Sequence, residues 1–183
     1  MSLKFKLDPE KIVNAVAFFA SKCDGATKMK ICKLLYFADK EHLLRYGRPI
    51  TGDSYVRMTY GPTPSAGLNL MRGMASSRLT VLFQSKIAVH ANDVRALSSP
   101  DLSVFSKSDL RVMQEVCEKY GRLNASQLSR ASHKEPSWKK TPENKLIAFE
   151  LLFEGRPEAN ATLELLKEEG GSEEVRSAEL ANR

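Results

Sequence analysis

The sequence predicts a mainly α, α+β domain: a compact helical body around a buried central helix, with a small β-hairpin. Three observations predict it. Every residue of Ile31–Ala38, ICKLLYFA, is apolar or aromatic except Lys33, so the stretch lacks the polar face of a surface helix and must be covered on most sides. Thr27 before it suits an N-cap and Gly47 after it a C′ position, and the roughly twenty residues so enclosed are too many for a common strand and normal for a helix. The rest of the chain shows apolar residues at helical spacing between Pro- and Gly-rich turns, with one stretch of partial alternation.

Taken in order, Asp8-Pro9-Glu10 starts the first helix, with Asp as N-cap and Pro at the first helical position. Ile12, Val13, Val16, Phe19 and Ala20 recur on one face and carry it from Pro9 to Lys22. Cys23 to Ala26 links it to the central helix, Lys28–Tyr46. Tyr55–Met58 reads as a short extended piece and Gly61–Pro64 as a rigid turn, because proline fixes φ and restricts its predecessor. Ser65–Ala75 reads as a helix entered from that turn. Leu79–Gln84 and Lys86–His90, rich in Val, Ile, Leu and Phe, read as a two-strand hairpin. Residues 91–105 read as a loop. Ser106 with Asp109 resembles a capping box; the helix it opens runs on Leu110, Val112, Met113, Val116, Cys117 and Tyr120 to Gly121. A short helix follows from Asn124 or Ser126 to Ser132, and His133–Trp138 reads as a loop. Thr141-Pro142-Glu143 is expected to start the next helix, carrying Ile147, Phe149, Leu151, Leu152 and Phe153 and ended by Gly155-Arg156-Pro157, and Ala161–Leu166 reads as a weakly apolar helical stretch.

The chain of 183 residues is 42% hydrophobic and 27% charged, which suits one folded domain, 1–157, and an acidic tail, 158–183, partly helical or disordered. The net charge of +6 is uneven, because the tail holds seven glutamates against three basic residues and leaves +10 on the body. A basic body suits an acidic partner, protein or nucleic acid, and equally a plain soluble surface. No apolar run approaches the ~18 residues of a membrane span, and the N-terminal MSLKFKLDPEK lacks the apolar core of a signal peptide, so no membrane role and a cytoplasmic location are expected. Cys23, Cys32 and Cys117 have no metal-ligand spacing and are expected to be reduced packing residues; His42, His90 and His133 form no paired motif. There is no GxSxG elbow, P-loop, GxGxxG, HExxH or CxxC, so no enzyme and no cofactor is expected.

Two regions stand out. In YGRPITGDSYVRMTYGPTP, Tyr46–Pro64, prolines and glycines specify one backbone path; Arg48 and Asp53 are placed to pair across it, and Tyr60 to pack on Pro62 or Pro64. The segment is either a scaffold joining two helices or a rigid recognition loop that loses little entropy on binding. Ser108–Trp138 has the layout of a helix-turn-helix, with Ser126, Gln127, Ser129 and Arg130 as groove-facing residues, or of an ordinary αα-corner with a basic rim. Trp138, the single tryptophan, is expected to be buried against the central helix.

Three motifs, KLLYFAD at Lys33–Asp39, GRPITGD with YGPTPS over Gly47–Ser65, and SxLSxxSHKEPSW over Ser126–Trp138, resemble the Panacea domain, the SocA-like antitoxin domain of bacteria and phages. The resemblance spans about Pro9 to Phe153 and implies a small, mainly helical, non-enzymatic domain. It implies an antitoxin that neutralises a cognate protein toxin, often encoded beside it, by direct binding. Arg48, Asp53, Tyr60, Pro62, Arg130, His133 and Trp138 are the motif and loop residues placed for interaction. A DNA-binding regulator using 108–138, and an adaptor that delivers a partner to a protease through the acidic tail, are the alternatives.

Overall fold

The computed structural model describes residues 3–168; the last dozen residues, expected to be disordered or only loosely docked, lie outside them. The elements are α1 (Pro9–Lys22), α2 (Lys28–Tyr46), β1 (Tyr55–Met58), β2 (Gly61–Pro64), α3 (Ser65–Met71), α4 (Ser77–Lys86), β3 (Ile87–His90), β4 (Asp93–Ala96), α5 (Lys107–Tyr120), α6 (Ala125–Ser132) and α7 (Pro136–Lys140). Residues 160–168 are also helical.

The ends of α1 and α2 fall where the cap residues put them. Asp8 accepts from the backbone N–H groups of Glu10 and Lys11, Thr27 accepts from Lys30 N, and Gly47 closes α2 at φ 73°. Ser106 and Asp109 form a reciprocal capping box on α5, as Asn124 and Gln127 do on α6. From Lys30 to Leu44 every residue of α2 except Glu41 is buried, under α1, α3, α5, α6 and β2.

The buried stretch of α2 still carries charged and titratable side chains, and each of these buried ones secures a neighbouring segment. Lys30 Nζ donates to Asp24 O and Gly121 O at 2.6 and 2.7 Å. Lys33 Nζ donates to Pro62 O at 2.7 Å, and burial brings its ammonium down to about 8. Asp39 accepts from Ile50 N, Thr51 N, Thr51 Oγ1 and Tyr55 OH. Lys40 pairs with Glu135 at 2.9 Å. His42 sets one ring nitrogen on Arg48 O and the other beside Asp109 and Ser108. Buried polar groups are tolerable when their hydrogen bonds are made inside, and these are made to loop backbone and to adjacent helices.

β1 and β2 form an antiparallel hairpin in the register Tyr55↔Pro64 to Met58↔Gly61, so Gly61–Pro64 is a paired strand rather than a turn. Its two proline nitrogens carry no donor, and the other side of β1 is taken by residues 144–147: Arg57 N donates to Lys145 O, Asn144 N to Arg57 O and Ile147 N to Tyr55 O. The expected helix after Thr141 is therefore absent. Asn144 adopts φ 60°, the segment runs beside β1, and only a 3₁₀ turn, Phe149–Leu152, follows. Thr141 Oγ1 instead donates to Ser137 O, at the end of α7. Pro136 at the first helical position starts α7 within the stretch read as a loop.

The second hairpin pairs β3 with β4, Ile87↔Ala96 to His90↔Asp93. The expected strand 79–84 is helix α4. Alternation would bury Leu79, Val81 and Phe83 together, yet Val81 is 68% exposed while Leu79, Leu82 and Phe83 turn toward the core, the spacing of a helix that packs on α1. Within the supposed loop 91–105 lie β4 and a 3₁₀ turn at Leu102–Val104. The helix after Pro64 ends at Met71, short of Ala75.

Helical residues 160–168 return to the body. Leu163 and Leu166 pack against the core, and Thr162 and Leu166 approach Gly47. Among the described residues, no helix is long and apolar enough to cross a membrane.

Candidate interaction surface

The tip of the β1–β2 hairpin is seated from below and from one side. From below, Lys33 holds Pro62 O. From the side, Ser129 Oγ on α6 donates to Tyr60 O at 3.0 Å, and Trp138 Nε1 on α7 donates to Met58 O at 3.1 Å. Gly61 makes the fit possible. It sits at φ 100°, and a Cβ there would come within 2.3 Å of Ser132 Oγ and 3.1 Å of Lys33 Cε. The tip's backbone is thus fixed by a central-helix lysine, α6 and α7.

Besides Thr59, what the tip shows to solvent is apolar and aromatic. Tyr60 is 64% exposed, Leu146 on the adjoining segment 63% and Met58 37%. Beside them, His133 stacks on Trp138 with centroids 3.9 Å apart and planes 18° from parallel. The Arg57 guanidinium lies 4.4 Å from the Trp138 ring. Glu143 approaches Arg57 at 3.9 Å and accepts from Thr59 Oγ1 at 3.0 Å. Burial first, then the charges of Lys33 and Arg57 against a backbone bond with Thr59, hold the His133 imidazole below its ordinary value, which disfavours a charged ring beside the guanidinium.

The residues singled out in the sequence divide into two groups. Tyr60, Pro62, His133 and Trp138 meet at this surface, Pro62 as buried backbone and the other three as side chains at or near solvent. Trp138 is half-buried against His133, Arg57 and the hairpin rather than against α2. Tyr60 projects instead of being buried on Pro62 or Pro64. Arg48 and Asp53 do not pair. Arg48 reaches Asp109 at 2.9 Å and Ser106 at 3.1 Å, at the start of α5. Asp53 is buried and accepts from Ala66 N and Gly67 N, capping α3; burial pushes its carboxyl up against those bonds.

Asp109 is a second buried hub. It is fully enclosed and meets Lys11, His42 and Arg48 at 2.8, 3.0 and 2.9 Å. Burial alone would raise its carboxyl; the hydrogen bonds from His42 and Lys11, that from Ser106 N and the Arg48 charge overcome this and hold it well below the usual range. This cluster joins α1, α2 and α5 and serves the fold.

The helix-turn-helix layout exists in outline, but α6 uses most of its polar residues internally. Gln127 closes the capping box, Ser129 is buried on Tyr60 O, and Arg130, exposed, donates to Ser126 Oγ at 2.9 Å. Met58, Arg57, Glu143 and Leu146 were not singled out by sequence. Only the long-range pairing of 144–147 with β1 brings them together, and no short-range pattern encodes it.

Residues 31–139 match the family described as antitoxin SocA-like, Panacea domain. The matched span includes most of α2, the β1–β2 hairpin, α6 and most of α7. No curated protein and no solved structure matches the chain.

Proposed function

Because the chain belongs to the SocA-like antitoxin, Panacea-domain family, we propose that it is an antitoxin that neutralises a cognate protein toxin by stoichiometric binding through the hairpin-tip surface. The observation that carries this reading is a rigidly seated apolar tip, Met58 and Tyr60 with Leu146, beside a Trp–His–Arg cluster inside or next to the matched span. Exposed Tyr, Trp, Met and Arg side chains on a fixed backbone are the types that dominate binding energy at protein interfaces. A backbone already fixed before association adds no ordering cost. Burying a standard interface of about 1,200–2,000 Å² in total would cover a toxin's working surface without chemistry or cofactor.

Co-expression with the protein encoded next to this chain tests the reading. A neighbour toxic alone, harmless together and co-purifying with this chain supports it; a neighbour that is harmless or never associates removes it. Tyr60→Asp and Leu146→Asp are each expected to weaken the complex by about 2 kcal/mol or more, roughly thirtyfold in Kd. Val81→Asp on α4, a change of equal polarity at an equally exposed position, leaves affinity unchanged. Equal affinity for all three variants would place the interface elsewhere.

Arg130, Lys134, Lys139 and Lys140 surround α6 and α7 as exposed cations, so the toxin is expected to present an acidic rim. Raising salt from about 50 to about 200 mM should slow association several-fold with little change in dissociation, read by stopped-flow or surface-based kinetics.

A further inference from the structure

The three cysteines, all free thiols, are not equivalent. Cys23 caps the end of α1 in an extended conformation, Cys117 lies in the last turn of α5, and their Sγ atoms are 3.3 Å apart. Cys32 is on α2, where burial foremost pushes its thiol up to about 12. Cys23, itself only 5% exposed, also lines an open cavity of about 620 Å³ between the end of α1 and β4, with Asp24, Ala26 and Val94 among its walls, the side from which a small solute would approach.

The two helix ends are already held together. Lys30 Nζ bridges Asp24 O, next to Cys23, and Gly121 O, one turn beyond Cys117. Gly121 leaves no space over Cys23, since a Cβ there would lie 3.1 Å from Cys23 Sγ. The bridge also fixes an ammonium near the thiol pair. The hydrogen bond with Cys117 lowers the Cys23 thiol most, burial opposes it and the Lys30 charge adds to the lowering, while Cys117 is raised.

We propose that Cys23 and Cys117 are a redox-active pair that a hydroperoxide oxidises to a disulfide joining α1 to α5, with Cys23 as the attacking thiol and Cys117 as the resolving one. The Cys23 thiolate attacks the peroxide; the O–O bond breaks, the departing oxygen leaves as water or alcohol, and Cys23 becomes a sulfenic acid. Cys117 sulfur then attacks Cys23 sulfur. The S–S bond forms, the S–O bond breaks, and hydroxide leaves as water with the proton of Cys117. Two thiols are oxidised by two electrons and one peroxide is reduced; a dithiol reverses the change by exchange. Cys23 precedes the matched span 31–139 and Cys117 lies within it, and neither is among the residues of the proposed toxin-binding surface.

The full-length chain is treated with hydrogen peroxide, quenched, alkylated with and without denaturant, and mapped by mass spectrometry. The expected result is a chain lighter by two hydrogens, a linked Cys23–Cys117 peptide that dithiothreitol resolves, and Cys32 alkylated only after denaturation. Closing so long a loop is expected to raise the unfolding midpoint by about 10 °C. With dimedone present, Cys117→Ser accumulates the adduct at Cys23, and Cys23→Ser gives none at Cys117. The proposal is overturned if the wild-type chain forms no such linked peptide, links Cys32 instead, or links only between chains. An adduct at Cys117 in Cys23→Ser overturns the assigned order. The wild-type map decides the pairing even if a variant fails to fold.

Discussion

Asp39→Ala is expected to remove about 4 kcal/mol of folding free energy, much of what a domain of this size possesses. The carboxylate lies fully inside and receives four hydrogen bonds, from Ile50 N, Thr51 N, Thr51 Oγ1 and Tyr55 OH. Alanine leaves all four donors without their acceptor in a buried site, and stranded donors cost more than the bonds contribute when made. Asp39→Asn should cost much less, about 1 kcal/mol, because its carbonyl can accept both backbone N–H groups while the two hydroxyls turn to accept from its NH₂. Urea denaturation compares them. An alanine variant within about 1 kcal/mol of wild type would show that the GRPITGD loop is not held by this carboxylate.

The same residue sets a pH dependence. Burial foremost, against the bonds from Thr51 and Tyr55, raises the Asp39 carboxyl from 3.8 to about 6. Between those values the folded chain holds a proton that the unfolded chain has lost, so raising pH through this window lowers stability, by at most about 3 kcal/mol. Asp39→Asn has no such group. Its deficit against wild type should shrink from pH 4 to pH 7, and parallel profiles would refute the assignment. Lys33 works at the other end. Its ammonium is lowered from 10.5 to about 8, the unfolded chain binds the extra proton between those values, and its contribution to stability rises with pH across them.

The parts of this fold written in adjacent residues were legible. Asp8-Pro9, Thr27, Gly47 and Ser106 with Asp109 place the ends of α1, α2 and α5, because a cap is a local hydrogen-bonding event. The uninterrupted apolar stretch of α2 disclosed its burial. The roles of its charges were not disclosed, since a lysine bound to a distant carbonyl leaves no periodicity. The second hairpin was misplaced because its turn has no Asn-Gly or Gly-Gly signal; Ala91 takes φ 52°, a value usually left to glycine. The 141–153 segment was misread because Thr-Pro-Glu before apolar residues is also how a helix begins, and only pairing with β1 overrides it. The candidate surface was half legible. Tyr60, His133 and Trp138 lie in worded motifs, whereas Arg57 and Leu146 reach them through tertiary pairing alone.

Gly61→Ala should be nearly as damaging as Asp39→Ala and should report on the proposed surface as well. The backbone at φ 100° disfavours any side chain, and the added Cβ would meet Ser132 Oγ at 2.3 Å and Lys33 Cε at 3.1 Å. Ser132 is fully buried and bonded to Ser129 O, so its hydroxyl can turn away only by giving up that bond inside the core; backbone strain and overpacking together should cost about 4 kcal/mol. Ser132→Ala alone loses one hydrogen bond, about 1 kcal/mol. Combined with Gly61→Ala it removes the nearest obstacle, and the double variant should be more stable than the sum of the single losses by about 1–2 kcal/mol. Additivity would mean that the tip is not seated on α6. The strain at φ 100° and the contact with Lys33 remain in the double variant, so the tip should still be displaced. Partner binding should then recover less than stability does, because Met58 and Tyr60 owe their positions to the bonds from Trp138 Nε1 and Ser129 Oγ to their carbonyls, just before that glycine. The YGP and SxLSxxSHKEPSW motifs are in this sense one structural unit, in which a glycine of the first is required by a serine of the second.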